Sequence, residues 1–126
     1  MEEEFNALLD DIEELADEEN YSEAIKLIDK AFAIADKEPL LFYDKCTLIN
    51  NRGFYNYKLG NLKEALADVE KAIEESPDDD LPYYTKAEVL FEMKNYSGAL
   101  NAINKAIEIS PDSDKEDFRK LILEKI

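Results

Sequence analysis

The chain has 126 residues, 31 of them acidic and 15 basic, with one Cys, three Gly, no His and a net charge of −16. This length suits one compact domain or a short repeat array and disfavours a two-domain enzyme, while abundant charge with few Gly and Pro favours amphipathic helices over a turn-rich β protein or a disordered tail. A field of this sign repels nucleic-acid phosphates and anionic membrane surfaces and suits a cationic partner.

The charge is uneven. Residues 1–39 hold 14 acidic and 3 basic side chains, net −11, against 17 and 12, net −5, in the remainder. The start, Met1-Glu2-Glu3-Glu4, has neither a basic region nor an apolar one, and no apolar run is long enough to cross a bilayer, so the expected location is cytoplasmic. Cys46 has no partner for an internal disulfide and lies in an apolar helical stretch, where a lone thiol is a packing residue.

Taken in chain order, Leu8 and Leu15 lie on a first helical segment, and Asn20-Tyr21-Ser22 opens a second that carries Ala24, Ile28 and Ala31 at helical spacing. Pro39 suits the first position of a helix, so residues 39–45 are expected to extend the next helix. The alternative is a short loop exposing Leu40-Leu41-Phe42-Tyr43. A helix over Leu48 to Leu59 then meets a turn at Gly60-Asn61, and Ala65, Leu66, Val69, Ala72 and Ile73 form one apolar stripe. Ser76-Pro77-Asp78 stops that helix. The same order follows again: Tyr83 to Met93, a turn at Lys94-Asn95, a stripe of Ala99, Leu100, Ile103, Ala106 and Ile107, and a stop at Ser110-Pro111-Asp112. A last helix, Asp112 to Ile126, places Phe118, Leu121, Ile122 and Ile126 on one face.

The copies beginning at Asn61 and Asn95 are 34 residues apart, and the copy beginning at Asn20 precedes Asn61 by 41. Each unit therefore reads as helix, tight turn, helix. The last helix closes the apolar face that a terminal repeat otherwise leaves in water. Along the first helix of the second unit, Thr47, Asn50, Asn51, Phe54, Tyr57 and Lys58 make a stripe separate from the one that packs on its partner helix.

Familiar catalytic constellations are missing, since there is no His, one Cys and no Gly-rich loop. The expectation is a non-enzyme with no cofactor and no metal. Asp78-Asp79-Asp80 and Asp112-Ser113-Asp114 begin like calcium loops, but the sixth position is Tyr83 or Asp117 instead of Gly, and they read as helix caps.

The 34-residue period, the small residues and the closing prolines resemble the tetratricopeptide repeat (TPR). The matching positions are Ile49, Gly53, Ala65, Val69, Ala72 and Pro77 in one unit, and Tyr83, Ala87, Ala99, Ile103, Ala106 and Pro111 in the next. In the first unit they are Leu8, Leu15, Ala24, Ile28 and Ala31. Three positions depart from the pattern: Ile12 stands where Gly or Ala is usual, and Arg52 and Asn56 where Leu and Tyr are. The resemblance implies an all-α fold, a right-handed α-solenoid over 1–126, with repeats at 5–38, 39–78 and 79–112 and a capping helix at 113–126.

It also implies a concave groove lined by the first helix of each unit, serving as an adaptor or scaffold site for a peptide. By register the groove residues are Asp10, Glu13 and Asp17, then Asn50, Asn51, Phe54 and Tyr57, then Tyr84, Glu88, Phe91 and Glu92. Aromatic rings flanked by carboxylates suit a basic, partly apolar peptide; the competing reading has Phe54 and Phe91 filling the core between repeats. One branch of the family holds the acidic C-terminal peptide of heat-shock chaperones with a clamp of Lys, Asn and Arg. Only Asn51 matches that clamp here, the other positions being Leu9, Glu13, Leu81 and Thr85, so that ligand is not expected. Homo-oligomeric assembly and a small chaperone for an export substrate are the alternative functions.

Overall fold

The computed structural model describes residues 2–126, which hold seven helices: α1 (Glu2–Asp17), α2 (Tyr21–Lys37), α3 (Lys45–Lys58), α4 (Leu62–Glu75), α5 (Asp80–Glu92), α6 (Tyr96–Ile109) and α7 (Ser113–Leu123). Successive helices pair as α1 with α2, α3 with α4 and α5 with α6, each pair stacks on the next, and α7 packs on α6. The result is an all-α solenoid of helix pairs.

The turn inside each pair repeats a single device. Glu19, Gly60 and Lys94 sit in the left-handed region, with φ of 60°, 83° and 63°. The next residue's N–H then reaches back across the turn: Asn20 donates to Leu15 O at 2.8 Å, Asn61 to Asn56 O at 2.8 Å and Asn95 to Leu90 O at 2.9 Å. These bonds satisfy carbonyls that a helix end leaves free. Caps start the following elements. Asp44, Asp79, Asn95 and Asp112 accept from the backbone N–H of Thr47, Leu81, Gly98 and Lys115 at 2.9–3.0 Å.

Within each pair the backbones approach closely where the sequence is small. Ala24, Ala65, Val69, Ala72, Ala87, Ala99, Ile103 and Ala106 are fully buried. A Cβ added at Gly53 would stand 3.0 Å from Val69 Cγ1 and 3.1 Å from Asp68 Cβ, so this position needs its missing side chain. The departures at Arg52 and Asn56 are compensated locally, because both polar groups converge on the carboxylate of Asp68 in α4.

Residues 39–44 do not extend α3, which begins at Lys45. Two local facts decide for the loop. Asp44 caps α3 through the N–H and hydroxyl of Thr47, at 3.0 and 2.7 Å. Upstream, Leu41 and Tyr43 turn inward against the first repeat's core, with the Tyr43 ring 5.2 Å from Phe5, and leave Leu40 and Phe42 97% and 99% exposed. Alternate residues pointing in and out is the period of an extended strand, which a helix through the same residues would destroy.

The closing helix is shorter than its apolar pattern. It ends at Leu123, and of the expected face only Phe118 and Ile122 turn inward, Leu121 and Ile126 being exposed. Lys115 anchors its start: the buried ammonium donates to Ser110 O and Asp112 Oδ2, each at 2.6 Å, and pairs with Asp80 Oδ2 at 2.8 Å. Burial works to lower the Lys115 pKa, but the hydrogen bonds it donates to Asp112 and Asp80 overcome this and raise the pKa.

Candidate functional site

The loop preceding α3 and the first two odd-numbered helices enclose a hollow of about 370 Å³. Its walls are Leu9, Ile12 and Glu13 of α1, Tyr43 and Asp44 of the loop, and Thr47, Leu48, Asn51 and Tyr55 of α3. The lining is mainly apolar. Tyr55 forms the inner wall, stacked on Tyr21 with centroids 5.4 Å apart. Burial raises the Tyr55 pKa, and the ionisable phenol of Tyr21 and the charges of Asp17 and Glu13 add to that effect. The phenol thus stays protonated, an O–H available to an acceptor beside a carboxylate-lined rim.

Of the residues that register assigned to a groove, Glu13 and Asn51 line this hollow. Asp10 and Asp17 stand exposed on the same helix. Phe54 and Tyr57 continue along α3, half-buried, with ring centroids 5.9 Å apart. Asn50 is different, being only 2% exposed, and its Oδ1 meets no donor of the protein. It is not an open groove residue, because α3 packs against α2, α4 and α5 at once and keeps little free surface.

Tyr84 and Phe91 do not continue an open aromatic floor. The ring of Phe118 from α7 lies 5.7 Å from Tyr84 and 5.5 Å from Phe91, and Tyr96 lies 5.4 Å from Phe91. These residues seat the closing helix. Glu88 is half-buried and burial pushes its carboxyl up to about 7, with Lys58 opposing; Glu92 remains exposed.

Sequence reasoning missed Tyr43, Asp44, Ile12, Leu48 and Tyr55 as walls of the hollow. The signal for Tyr43 was present in the unbroken apolar run Leu40 to Tyr43 between two helical patterns. Thr85, a clamp position in the chaperone-binding branch, is buried, and its hydroxyl donates to Leu81 O at 3.2 Å. Among the described residues no three Cys, Asp or Glu side chains come together as a metal site requires, and no helix is long and apolar enough to cross a membrane.

Residues 57–122 match the family model described as tetratricopeptide repeat, which is just over half of the chain. No curated protein matches the sequence. Solved structures share the fold. The Sgt2 TPR domain from Aspergillus fumigatus is 24% identical, with a TM-score of 0.83 over 97% of this chain and 78% of that one. The Arabidopsis OM64 TPR domain is 14% identical, with a TM-score of 0.86 over 99% of this chain and 98% of that one. The first TPR of Spaghetti (RPAP3), bound to the HSP90 peptide SRMEEVD, is 17% identical, with a TM-score of 0.82 over 98% of this chain and 94% of that one. The helix pairs, their repeated turns and the family match agree: the chain belongs to the tetratricopeptide-repeat family and carries the fold of a protein–protein interaction module.

Proposed function

We propose that the chain is a non-enzymatic adaptor whose concave face binds a basic, partly apolar peptide. The observation that carries this reading is the hollow between α1 and α3, where Leu9, Ile12, Tyr43, Leu48 and Tyr55 surround space open to an apolar side chain and Glu13 stands at the wall. Aromatic and aliphatic walls supply contact area, and carboxylates orient Lys or Arg. The exposed Asp10 and Asp17, on a segment of net charge −11, extend the same negative potential.

An acidic C-terminal peptide such as the one bound by the RPAP3 domain is not the ligand in this reading. Four of the five clamp positions, Leu9, Glu13, Leu81 and Thr85, offer no cation to a carboxylate, and Glu13 repels one. The test is fluorescence polarisation with basic and acidic peptide libraries at two salt concentrations. Basic peptides are expected to bind, more weakly at high salt, and to lose affinity with Glu13→Lys. Saturable binding of acidic peptides alone would overturn the reading.

A second reading, self-association, is favoured by Leu40 and Phe42, which stand 97% and 99% exposed side by side on the loop. Large exposed apolar side chains in a cluster mark contact surfaces. The net charge of −16 opposes such a dimer. Light scattering across a hundredfold concentration range separates the two, since a constant monomer mass removes self-association.

A further inference from the structure

Beyond the hollow, the concave side has a second station where α3 meets α5. Tyr57 and Lys58 of α3 line one hollow there with Glu92 of α5, and Glu88 and Tyr84 lie one and two turns before Glu92 on the same face of α5; the Tyr57 phenol feels the charges of Glu88 and Glu92. Glu88 is half-buried, yet among the described residues its carboxylate makes no hydrogen bond and no ion pair.

The cation that acts on it is Lys58. That ammonium sits over the Phe54 ring, 5.5 Å from its centroid, and pairs with no carboxylate. A half-buried carboxylate with no protein donor has lost part of its hydration, and a cationic donor restores it. The half-buried Tyr57 and Tyr84 nearby offer apolar contact to the methylene stem of a Lys or Arg.

We propose that Glu88, walled by Tyr57 and Tyr84 and backed by Glu92, takes one lysine or arginine side chain of the bound peptide, at a fixed spacing from an apolar side chain seated in the hollow between α1 and α3. The inference rests on the peptide-binding reading above and adds the position and chemistry of the second contact. The spacing follows from α3, which lines both stations. The stretch Thr47 to Asn51 and the pair Tyr57 and Lys58 are centred about eight residues apart, or about 12 Å of helix. An extended peptide spans that distance in about four residues. The recognised pattern is therefore an apolar residue and a basic one at least four positions apart.

Burial and Lys58 of α3 set the charge of Glu88; the other titratable groups near it are Tyr57 of α3 and Tyr84 and Glu92 of α5. Asp112, Asp114 and Lys115, at the start of α7, act on the Tyr84 phenol beside it. Burial holds the Glu88 carboxyl at about 7, so near neutral pH it is partly protonated, and a cation arriving beside it expels that proton.

The test is calorimetric titration at pH 7 with twelve-residue Ser-Gly peptides carrying one Phe and, four, five or six positions on, either Lys or norleucine. Two buffers of different ionisation enthalpy give the proton count. The best Lys peptide is expected to bind about tenfold more tightly than its norleucine twin, with about half a proton released, and Glu88→Gln is expected to abolish both the preference and the release. The norleucine comparison leaves the protein unchanged, so it does not depend on how the variant folds. Equal binding of Lys and norleucine peptides, with affinity still lost on Phe→Ser in the peptide, would overturn the Glu88 subsite and leave the groove reading standing. No binding by any of the peptides would overturn both.

Discussion

Arg52 of α3 holds the carboxylate of Asp68 in α4 by two parallel hydrogen bonds, Nε to Oδ2 at 3.0 Å and Nη2 to Oδ1 at 2.8 Å. Around this fork, Nη1 of Arg52 reaches Asp29 of α2 at 2.9 Å and the guanidinium lies over the Phe32 ring, 5.1 Å from its centroid. Asn56 Nδ2 donates to the same Asp68 at 3.4 Å, and Asn61 Nδ2 donates to Asn56 Oδ1 at 3.3 Å. One arginine thus ties the first helix pair to the second, at positions where the family pattern has Leu and Tyr. Burial acts to lower the Arg52 pKa, while Asp68 and then Asp29 more than offset it and raise it.

Removing Arg52 leaves the buried Asp68 with Asn56 as its side-chain donor, and removing Asp68 leaves a half-buried Arg52 with Asp29 as its remaining carboxylate. Arg52→Ala and Asp68→Ala are each expected to cost about 2–4 kcal/mol in urea denaturation, with strong coupling in the double variant. Asp29 is more exposed, with 60% of its side chain in water, and Asp29→Ala is expected to cost less than about 1 kcal/mol. Equal losses at Asp29 and Asp68 would contradict this account.

The close approach at Gly53 gives a steric prediction. Val69 Cγ1 and Asp68 Cβ lie 3.0 and 3.1 Å from where a Cβ would stand. Gly53→Leu should therefore lower stability by about 1–3 kcal/mol, read as a drop in melting temperature. An unchanged melt would mean that α3 and α4 separate freely at this point.

Lys94 and Glu19 adopt, with a side chain, the left-handed conformation that Gly60 adopts without one, at φ of 63° and 60° against 83°. Glycine relieves that strain. Lys94→Gly is expected to stabilise the protein by about 0.5–1 kcal/mol, whereas Gly60→Val should destabilise it by at least as much. Chemical denaturation of the two variants decides, and loss of stability in Lys94→Gly would show that the turn does not bear the strain its φ implies.

Glu88 makes stability depend on pH in a definite direction. Its carboxyl is raised from 4.5 to about 7 in the folded chain, because burial disfavours the ionised form more than Lys58 favours it. The contribution is therefore fully present below about 4.5 and is lost as pH rises through about 7. Between pH 5 and pH 8 the native protein should lose on the order of 2 kcal/mol relative to Glu88→Gln, a difference measured by parallel melts. Parallel curves for the two proteins would show that Glu88 ionises as if in water.

The helix pairs were legible because each is encoded locally. Ala65, Val69 and Ala72 recur as Ala99, Ile103 and Ala106 at the family period, and Pro77 and Pro111 mark where helices stop. The loop at 39–44 was misread because Pro39 is compatible with both a helix start and a turn. The sequence window there contains no residue that excludes either. What separates them is the docking of Tyr43 against Phe5, a partner 38 positions away.

The candidate site divides in the same way. Glu13 and Asn51 were legible as lining residues, since register along a helix fixes which side chains share a face. Register says nothing about what covers that face. Asn50 is closed in by the packing of α3, and Tyr84 and Phe91 are covered by Phe118 of the closing helix, whose contacts register along α5 does not give.

The sequence alone determined that this protein is an array of helix pairs with small residues between them and a strongly acidic first third, because periodicity, volume and charge are properties of neighbouring residues. Only the tertiary structure decided that the segment before α3 bends to wall a hollow, that Arg52 links two repeats through Asp68, and that Glu88 is half-buried without a protein partner. Burial and pairing depend on residues distant in sequence, and they exist only once the helices have packed.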